Sequence, residues 1–398
     1  MGKFDLPDCY VLIDLSCSPL CVSIILPEYG RREIVFSGSV PDRKDLVQRH
    51  QLAHVYDVSD LPRVVNGSLV LSPSTIYKDS DHELVSTLVD IKYSYIVEQA
   101  FIEARFLKTV PELEYLTYSS RAAAKVHQLT EKLIKSTAFI SESSIASFFV
   151  HQSTILECEL QSYNPIVGAS RHGAILHFPT GQTPDGGHAS INQTDFILID
   201  AAPAFRGYAS DLTRTYIRKP TEKYQILSQI VLDSQQAGIR AHEIGNTWGD
   251  VVNASLVQLT LGLWEHGFLI GDSLDELVES GVVSIFMPHG LGHPVGLDVH
   301  DPAPAIHNIH QKHKSLGLWN EYPLKLARDY PLAKGQVHTV EPGAYFIPYL
   351  LQQAKNETLG VSKFINWSQI EEWKGLGGVR IEDVVAIDHE GISKVITN

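Results

Sequence analysis

The chain has 398 residues, of which 44% are apolar and 20% are charged, and its formal net charge at pH 7 is −14. The apolar content is too high for a disordered chain, and the acidity argues against nucleic acid, whose phosphates require basic patches. No run approaches the roughly 20 apolar residues of a membrane helix, and the start lacks a basic region followed by an apolar segment. We therefore expect a cytoplasmic protein with no membrane partner and no nucleic-acid partner.

The four cysteines, Cys9, Cys17, Cys21 and Cys158, are few for this length, and none belongs to a Cys-x-x-Cys pair. Their number and spacing do not indicate a disulfide framework. A redox pair of Cys17 and Cys21 stays open as an alternative, but reduced thiols are the simpler interpretation.

Residues 10–90 contain short apolar runs that are separated by turn residues. Such runs are typical of strands, so this part of the chain is predicted to form a small α/β domain. The strands are expected over residues 10–13, 22–26, 34–36 and 69–71.

A second domain is expected to open near residue 104. Thr109 and Glu112 have the spacing of a helix capping box, with Pro111 in the first turn. The apolar residues that follow recur at helical period and predict a long amphipathic helix. The same period predicts further helices over residues 222–238 and 250–263.

Carboxylates stand beside the strand-like runs of this second domain. Apolar runs lead into Asp200 and Glu341, a third run contains Glu382, and Asp211 lies in an alternating segment over 207–216 that suits the returning strand of a hairpin. The pattern predicts an α+β domain whose charged residues sit on strands.

These carboxylates are unusual choices for a protein interior. Asp200 alone could be a turn residue at a strand end. Ionised carboxylates are nevertheless costly to bury, and like charges on neighbouring strands repel each other unless a cation lies between them. Together, Asp200, Asp211, Glu341 and Glu382 therefore indicate a metal site.

An imidazole ligand is expected from the segment over residues 289–301, where His289, His293 and His300 are spaced by glycines. Any one of these histidines alone is as compatible with a structural role as with metal binding, but the cluster favours a ligand. Carboxylates with an imidazole suit Mn²⁺, Co²⁺, Zn²⁺ or Fe²⁺, and the excess of oxygen favours Mn²⁺.

A second group of histidines, His307, His310 and His313, lies in a polar stretch, for which an exposed loop is the favoured interpretation. The sequence has no Gly-x-Ser-x-Gly elbow, phosphate loop, dinucleotide fingerprint or His-Glu-x-x-His motif. The sequence therefore carries no motif of a serine hydrolase, a nucleotide-dependent enzyme or a zincin.

Taken together, the motifs resemble those of the metallopeptidases with the pita-bread (creatinase/aminopeptidase-like) fold, which include methionine aminopeptidase, aminopeptidase P and prolidase. The resemblance implies an α+β catalytic domain over residues 104–398, preceded by a shortened α/β domain over residues 1–103. The matching segments are residues 200–215, 289–301, 339–346 and 377–383.

The resemblance also implies roles for individual residues. Asp200 would chelate one metal ion, Asp211 and Glu382 would bridge two, and His293 and Glu341 would bind the other. Two Mn²⁺ per chain are expected, with Co²⁺, Zn²⁺ or Fe²⁺ as alternatives. Together the ions would hold a bridging water, lower its pKa and polarise the scissile carbonyl.

Four residues match catalytic positions of the family. His177 and His300 match histidines on the substrate side, where they would bind the substrate or its tetrahedral intermediate. Glu341 also matches the residue that carries a proton to the leaving nitrogen, and Arg380 matches a residue that orients the carboxylates.

Within the family the chain looks like prolidase, the Xaa-Pro dipeptidase, in segments 286–288 and 364–367 and in the long interval between Glu341 and Glu382. The implied function is hydrolysis of a small peptide, an Xaa-Pro dipeptide, by a homodimer. The alternatives are an aminopeptidase P acting on longer peptides and a catalytically inactive binding protein.

Two features depart from the prolidase pattern. The N-terminal part is shorter than usual, and Lys325 stands nearest to the arginine that holds the carboxylate of a dipeptide, with Arg328 close by. We expect Lys325 and Arg328 to bind substrate. Lysine offers a point charge instead of a planar two-donor fork, so the preference for dipeptides could be weaker here.

Overall fold

The computed structural model describes residues 9–38, 41–66, 70, 94–304, 330–356 and 359–398. The chain divides into two compact units, Met1–Phe101 and Ile102–Asn398. The functional domains expected from the sequence, 1–103 and 104–398, stay a prediction.

The first unit contains a three-stranded sheet in the order β1–β2–β3, in which β1 and β2 are antiparallel and β2 and β3 are parallel. The strands predicted over residues 10–13 and 22–26 are confirmed as β1 and β2. The bounds are β1 Tyr10–Asp14, β2 Cys21–Leu26, α1 Arg31–Ser37, α2 Arg43–His50, β3 His54–Asp57, a 3₁₀ turn Val58–Asp60 and α3 Leu61–Val64.

The strand predicted over residues 34–36 is wrong, because these residues lie in α1. A run of three apolar residues is too short to distinguish a helical period from a strand period. Val35 and Phe36 are largely exposed, so no sheet face buries them. The strand predicted over 69–71 falls on residues of which only Val70 is described.

The helices of the second unit follow the sequence prediction closely. The long helix begins after Thr109, whose backbone N donates to Glu112 Oε2 at 2.8 Å, so the capping box is confirmed. The helices predicted over 222–238 and 250–263 are also confirmed, as α7 and α8. α4 Ser94–Phe106 begins in the first unit and ends in the second. The bounds of the others are α5 Val110–Ser136, α6 Glu142–Ile155, α7 Glu222–Ala241, α8 Trp248–Glu265, α9 Leu274–Ser280, α10 Pro348–Lys355 and α11 Trp367–Trp373.

The strands of this unit form small antiparallel sheets in the orders β5–β6–β8, β13–β12–β9, β10–β11 and β4–β7. Their bounds are β4 Leu160–Gln161, β5 Ile166–Ala169, β6 Ile197–Asp200, β7 Pro203–Ala204, β8 Thr213–Tyr216, β9 Val337–Val340, β10 Gly343–Tyr345, β11 Gly378–Arg380, β12 Asp383–Ile387 and β13 Ser393–Val395. Short 3₁₀ turns cover Ser170–Ala174, Val282–Ile285 and Ser362–Phe364.

The strand pair β9–β12 is followed, in the same register, by the strand pair β10–β11. Val340 of β9 pairs with Asp383 of β12, and Gly343 of β10 pairs with Arg380 of β11. The register is the same on both sides, so two residues on each chain segment interrupt a single antiparallel ladder.

The expectation that the carboxylates sit on strands is confirmed for Asp200 and is wrong for Glu341, Glu382 and Asp211. Glu341 and Glu382 lie in the break and face each other by the register of the flanking pairs. Asp200 is the last residue of β6, and Asp211 precedes β8 by two positions. Three of the four carboxylates, Asp211, Glu341 and Glu382, therefore lie beside paired residues instead of within a ladder.

The main core of the second unit packs α7 and α8 against the strands. Leu227, Ile230 and Val231 of α7 are buried, as their period predicts, and they share a cluster with Val340 and Val385. Among the helices that the structure describes, none combines the length and the apolar character needed to cross a membrane.

Candidate metal centre

The five residues predicted as ligands come together around the break in the ladder. His293 Nε2 lies 3.3 Å from Asp211 Oδ2 and 3.5 Å from Glu341 Oε1. Asp211, His293 and Glu382 each offer a ligand atom, and these atoms lie within 4.8 Å of one another. Asp200 is close enough for its charge to raise the pKa of Glu382.

Backbone pairing fixes three of these residues relative to β8. Asp200 pairs with Thr213 across β6 and β8, and Asp211 lies two positions before Thr213. The backbone N of Glu382 donates to Thr213 O at 3.1 Å. Thr213 is therefore the point at which β6, β8 and the break in the ladder meet.

His293 is held on the strand that carries Glu341. Its backbone N donates to Thr339 Oγ1 at 3.0 Å, and its Nδ1 lies 3.1 Å from Pro294 O, which leaves Nε2 to face the carboxylates. An added Cβ at Gly292 would lie 2.1 Å from Thr339 O. The close approach of the two segments therefore requires glycine at position 292.

The cluster concentrates negative charge in a buried place. Burial raises the pKa of Glu341 to about 7 and the pKa of Glu382 well above its usual range. Burial also raises the pKa of Asp200, against the opposing charge of Arg380. Burial opposes protonation of His293, but a hydrogen bond with Asp211 and the charge of Glu341 raise its pKa to about 9.

Two carboxylate oxygens in this cluster lack a partner. Asp200 Oδ1 and Glu382 Oε1 are buried and accept no hydrogen bond from any residue that the structure describes. Buried oxygens are ordinarily hydrogen-bonded, and an exception calls for an explanation. A divalent cation would coordinate both oxygens and offset the charge, so the donor set fits a metal site.

Side chains around the cluster orient the carboxylates. The hydroxyl of Tyr163 donates to Asp211 Oδ1 at 2.6 Å, and Thr213 Oγ1 donates to Glu382 Oε2 at 2.6 Å. Arg380 donates through Nη2 to Asp200 Oδ2 at 2.6 Å and through Nε to Thr213 Oγ1 at 3.0 Å. These bonds occupy one oxygen of each carboxylate and leave the other oxygen of Asp200 and Glu382 for a cation.

Arg380 also begins a chain of hydrogen bonds that leads away from the carboxylates. Its Nη1 donates to the hydroxyl of Tyr345 at 2.9 Å, and that hydroxyl lies 2.9 Å from His289 Nε2. Burial and the charge of Arg380 lower the pKa of His289 to about 3. The neutral ring donates from Nδ1 to Gly290 O, at 2.7 Å, and accepts from Tyr345.

Asp383, next to Glu382, joins three further parts of the unit. Its Oδ1 accepts from Arg214 Nη2 at 2.7 Å and from Thr397 Oγ1, and its Oδ2 accepts from Gln235 Nε2 at 2.7 Å. These donors come from β8, from the segment after β13 and from α7.

His177 and His300 lie on the exposed side of the cluster. The ring of His300 packs edge-on against His293, with 4.3 Å between the ring centroids. Burial and the neighbouring charge of His293 lower the pKa of His300, and His177 is near enough to add to this effect. The two predicted substrate-side histidines are therefore neighbours.

The remaining predicted residues, Lys325 and Arg328, lie outside the described residues, as do His307, His310 and His313. Substrate binding by Lys325 and Arg328 stays a prediction.

The sequence did not predict the contacts of Tyr163, Thr213 and Tyr345 around the cluster, or the hydrogen bond between His289 and Tyr345. Thr213 carried a signal, because it lies two residues after Asp211 on the same face of an alternating segment. Tyr163 and Tyr345 carried none, since a buried phenol is as common in a core as beside a metal.

Known proteins that are similar to this chain include metallopeptidases, as the sequence motifs predicted. The sequence pattern of metallopeptidase family M24 matches residues 114–389. A probable Xaa-Pro aminopeptidase of Sclerotinia sclerotiorum is 28% identical over 422 residues, which cover 98% of this chain and 74% of that protein. Human Xaa-Pro dipeptidase is 28% identical over 397 residues, which cover 97% of this chain and 78% of that protein.

The fold also has solved counterparts. A variant of Escherichia coli aminopeptidase P in complex with substrate matches with a TM-score of 0.77 at 23% identity, over 100% of this chain and 84% of that one. Pseudomonas aeruginosa aminopeptidase PepP matches with a TM-score of 0.76 at 21% identity, with the same coverage. The α+β pita-bread fold predicted from the sequence is confirmed.

Proposed function

Because the chain belongs to metallopeptidase family M24, we propose that it is a two-metal hydrolase that cleaves the bond before proline in Xaa-Pro dipeptides. One observation carries the metal part of the proposal. Four carboxylates and His293 meet in a buried cluster in which Asp200 Oδ1 and Glu382 Oε1 accept no hydrogen bond from the described residues. The bond to proline is proposed from the names of similar proteins and from the sequence motifs.

The proposed ligands of two divalent cations are Asp200, Asp211, His293, Glu341 and Glu382. When bound, such cations lower the pKa of a water molecule and polarise a carbonyl group. We propose Mn²⁺ because oxygen donors predominate in the set.

Residues around the ligands keep the carboxylates in place before any substrate arrives. Tyr163 fixes Asp211, and Thr213 fixes Glu382, each through a hydroxyl that donates at 2.6 Å. Arg380 holds Asp200 and offsets part of the negative charge. Orientation of ligands by such neighbours typically changes metal affinity or activity by about 10- to 100-fold.

The proposed proton carrier is Glu341, which would take a proton from the attacking water and give it to the leaving nitrogen of proline. That nitrogen bears no hydrogen in the peptide, so it can leave as an amine only after it gains a proton. His177 and His300 would donate hydrogen bonds to the substrate from the exposed side. The lowered pKa of His300 keeps it neutral at pH 7, with an N–H available as a donor.

A second candidate function is the removal of the first residue before proline from longer peptides. The probable Xaa-Pro aminopeptidases among the similar proteins favour it. The proposed dipeptide preference rests on the likeness of segments 286–288 and 364–367 to prolidase. Lys325, nearest to the position of the usual arginine, counts against it, because lysine offers a point charge instead of a planar two-donor fork.

Hydrolysis of Gly-Pro and Gly-Pro-Gly by protein loaded with Mn²⁺ tests these alternatives. The dipeptidase releases free proline from Gly-Pro faster than it cleaves the tripeptide. Cleavage of Gly-Pro-Gly alone would replace it with the second candidate.

Metal content separates an enzyme from an inactive binding protein of the same fold. At saturating Mn²⁺ we expect two ions per chain, and we expect Asp211→Asn to lose metal and turnover while it keeps its fold. The matched control is Asp233→Asn, which removes an exposed carboxylate that contacts Gln229. Less than one ion per chain in the wild type, without turnover, would identify a binding protein.

A further inference from the structure

The second unit buries the ammonium group of Lys108, whose side chain is 2% exposed. Its Nζ lies 3.0 Å from Asp301 Oδ2, and the side chain of Asp301 is 1% exposed. A buried charge is tolerated only when it is paired and hydrogen-bonded, so each of these groups depends on the other. Neither belongs to the proposed ligand set.

Asp301 closes the loop that carries His300. Its backbone N donates to Pro294 O at 3.0 Å, which joins the two ends of the loop. An added Cβ at Gly296 would lie 2.4 Å from Asp301 Oδ2, so the carboxylate is packed directly onto the backbone of the loop. The position of this carboxylate and the course of the loop are therefore coupled.

Lys108 is itself attached to the strands of the site. Its backbone N donates to Gly335 O at 2.8 Å, and an added Cβ at Gly335 would lie 2.7 Å from Lys108 O. The backbone N of Gly335 donates in turn to Ile387 O at 2.8 Å, at the end of β12. Lys108 thus provides a fixed point from which to hold the loop.

A second cation strengthens the same attachment. Arg105, in the last turn of α4, donates through Nη2 to Asp301 Oδ1 and to Asp298 Oδ2. Both oxygens of Asp301 are therefore occupied by cations, one at the end of α4 and one between α4 and α5. Asp298 belongs to the same loop, so Arg105 binds the loop at two places.

The residue before Asp301 is His300, whose ring packs edge-on against His293. We propose that Lys108 and Arg105 are positioning residues, which act through Asp301 to hold the imidazole of His300 in place for the substrate. This inference rests on the proposed function, because it assigns His300 to the substrate side. A misplacement of about 1 Å in such a group costs roughly 100-fold in rate.

A double-mutant cycle tests the proposal. Lys108→Met removes the charge and keeps the length and volume of the side chain, and His300→Ala removes the group that Lys108 positions. We expect Lys108→Met to lower kcat/KM on Xaa-Pro substrate by about 10- to 100-fold in the wild-type background. In the His300→Ala background it should lower kcat/KM by less than about 3-fold, because the two residues act as one unit.

Equal losses in the two backgrounds would overturn the proposal, since Lys108 would then act independently of His300. Arg105→Gln is the second variant of the cycle and is used in the same way if Lys108→Met does not fold. Arg218→Gln is the matched control, because Arg218 is a half-buried guanidinium that donates to Ile134 O and Thr137 O at the end of α5. It should leave kcat/KM within about 2-fold of the wild type.

A measurement without substrate separates failure of this inference from failure of the proposed function. In protein labelled at histidine Cε1, the NMR signal that His300→Ala removes belongs to His300. We expect this signal to shift in Lys108→Met or Arg105→Gln and to stay in place in Arg218→Gln. An unshifted signal overturns the inference even in an active enzyme. A shifted signal in a protein that cleaves no Xaa-Pro substrate supports the inference and rejects the proposed function.

Discussion

Glu341 and Glu382 face each other across a two-residue break in an antiparallel ladder, by the register of the strand pairs on either side. Like charges directly opposite on paired strands repel and destabilise the sheet. The same arrangement suits the proposed metal site, because two opposed carboxylates attract a divalent cation. On this proposal the centre combines a local cost to the fold with an affinity for metal.

The first prediction concerns this cost. Glu382→Gln keeps the size of the side chain and removes a carboxyl group whose pKa is raised by burial and by the neighbouring carboxylates, so that its ionised form is unfavourable in the fold. In metal-free protein we expect it to raise the free energy of unfolding by about 1 kcal/mol, which corresponds to a few degrees in Tm. Addition of Mn²⁺ should raise the Tm of the wild type and leave the Tm of the variant almost unchanged. Thermal unfolding with and without Mn²⁺ measures both effects, and Glu390→Gln, at an exposed position, is the control.

If metal-free Glu382→Gln proved less stable than the wild type, repulsion in the cluster could not be the dominant contribution of this residue. An Mn²⁺-dependent rise in Tm equal to that of the wild type would show that Glu382 is no ligand.

The second prediction concerns Tyr163. Tyr163→Phe keeps the ring and removes the hydroxyl that donates to Asp211 Oδ1. Because Asp211 then loses its fixed orientation, we expect Mn²⁺ affinity or kcat to fall by about 10- to 100-fold. Calorimetric titration with Mn²⁺ and steady-state kinetics measure the two quantities. Tyr224→Phe, which removes a hydroxyl that donates to Thr215 O, is the matched control. The same loss in both variants would point to a general packing effect.

The third prediction concerns Gly292. An added Cβ at this position would lie 2.1 Å from Thr339 O, so Gly292→Ala must push His293 away from the strand that carries Glu341. We expect a loss of stability of about 1–3 kcal/mol, as for an overpacked core, together with loss of Mn²⁺ binding. Urea unfolding and metal analysis of the purified variant test the two parts. Retention of two bound ions would show that the segments separate without disturbing the ligands.

The fourth prediction concerns pH and the buried pair His242 and His338. His242 Nε2 lies 3.0 Å from His338 Nδ1, with Ser393 Oγ at the far side of His242 and the hydroxyl of Tyr330 at the far side of His338. Burial lowers the pKa of His242 to about 4 and the pKa of His338 well below its usual value. The neutral pair is therefore the form that the fold accepts.

The sign of the effect follows from proton linkage. Between pH 6.5 and pH 4 the unfolded chain binds a proton at His242 that the folded chain does not, so the free energy of unfolding falls as the pH falls. For this residue the loss between pH 7 and pH 4.5 is about 2 kcal/mol. His242→Gln should flatten the dependence by about this amount, and His151→Gln, at an exposed position, should not. Urea unfolding at several pH values gives the slopes, and equal slopes in the wild type and His242→Gln would refute the prediction.

Much of the second unit could be predicted because its signals are local. The helical period predicts where the helices lie, and the Thr109–Glu112 capping box predicts where the long helix begins. Both signals depend on residues a few positions apart. The carboxylates stood out because a charged residue beside an apolar run is unfavourable without a partner. The strand predicted over 34–36 failed for the converse reason, since three residues carry too little periodicity to overrule a local helix.

The surroundings of the proposed ligands could not be predicted, because they are assembled from distant parts of the chain. Tyr163 contacts Asp211 across 48 positions, and Thr213 contacts Glu382 across 169. The break in the ladder is equally invisible, because residues 379–382 alternate and continue into Val384 and Val385, as an uninterrupted strand would. Such features depend on pairing that a single sequence does not display.

The hydrogen bonds of Asp383 have a consequence for genetics. This residue holds Glu382 in place through donors on Arg214, Gln235 and Thr397, none of which is a proposed ligand. A selection for lost activity would therefore recover substitutions at these positions as well as at the ligands. The substituted positions would be far apart in the sequence. In the folded structure they would all lie around the carboxylate of Asp383.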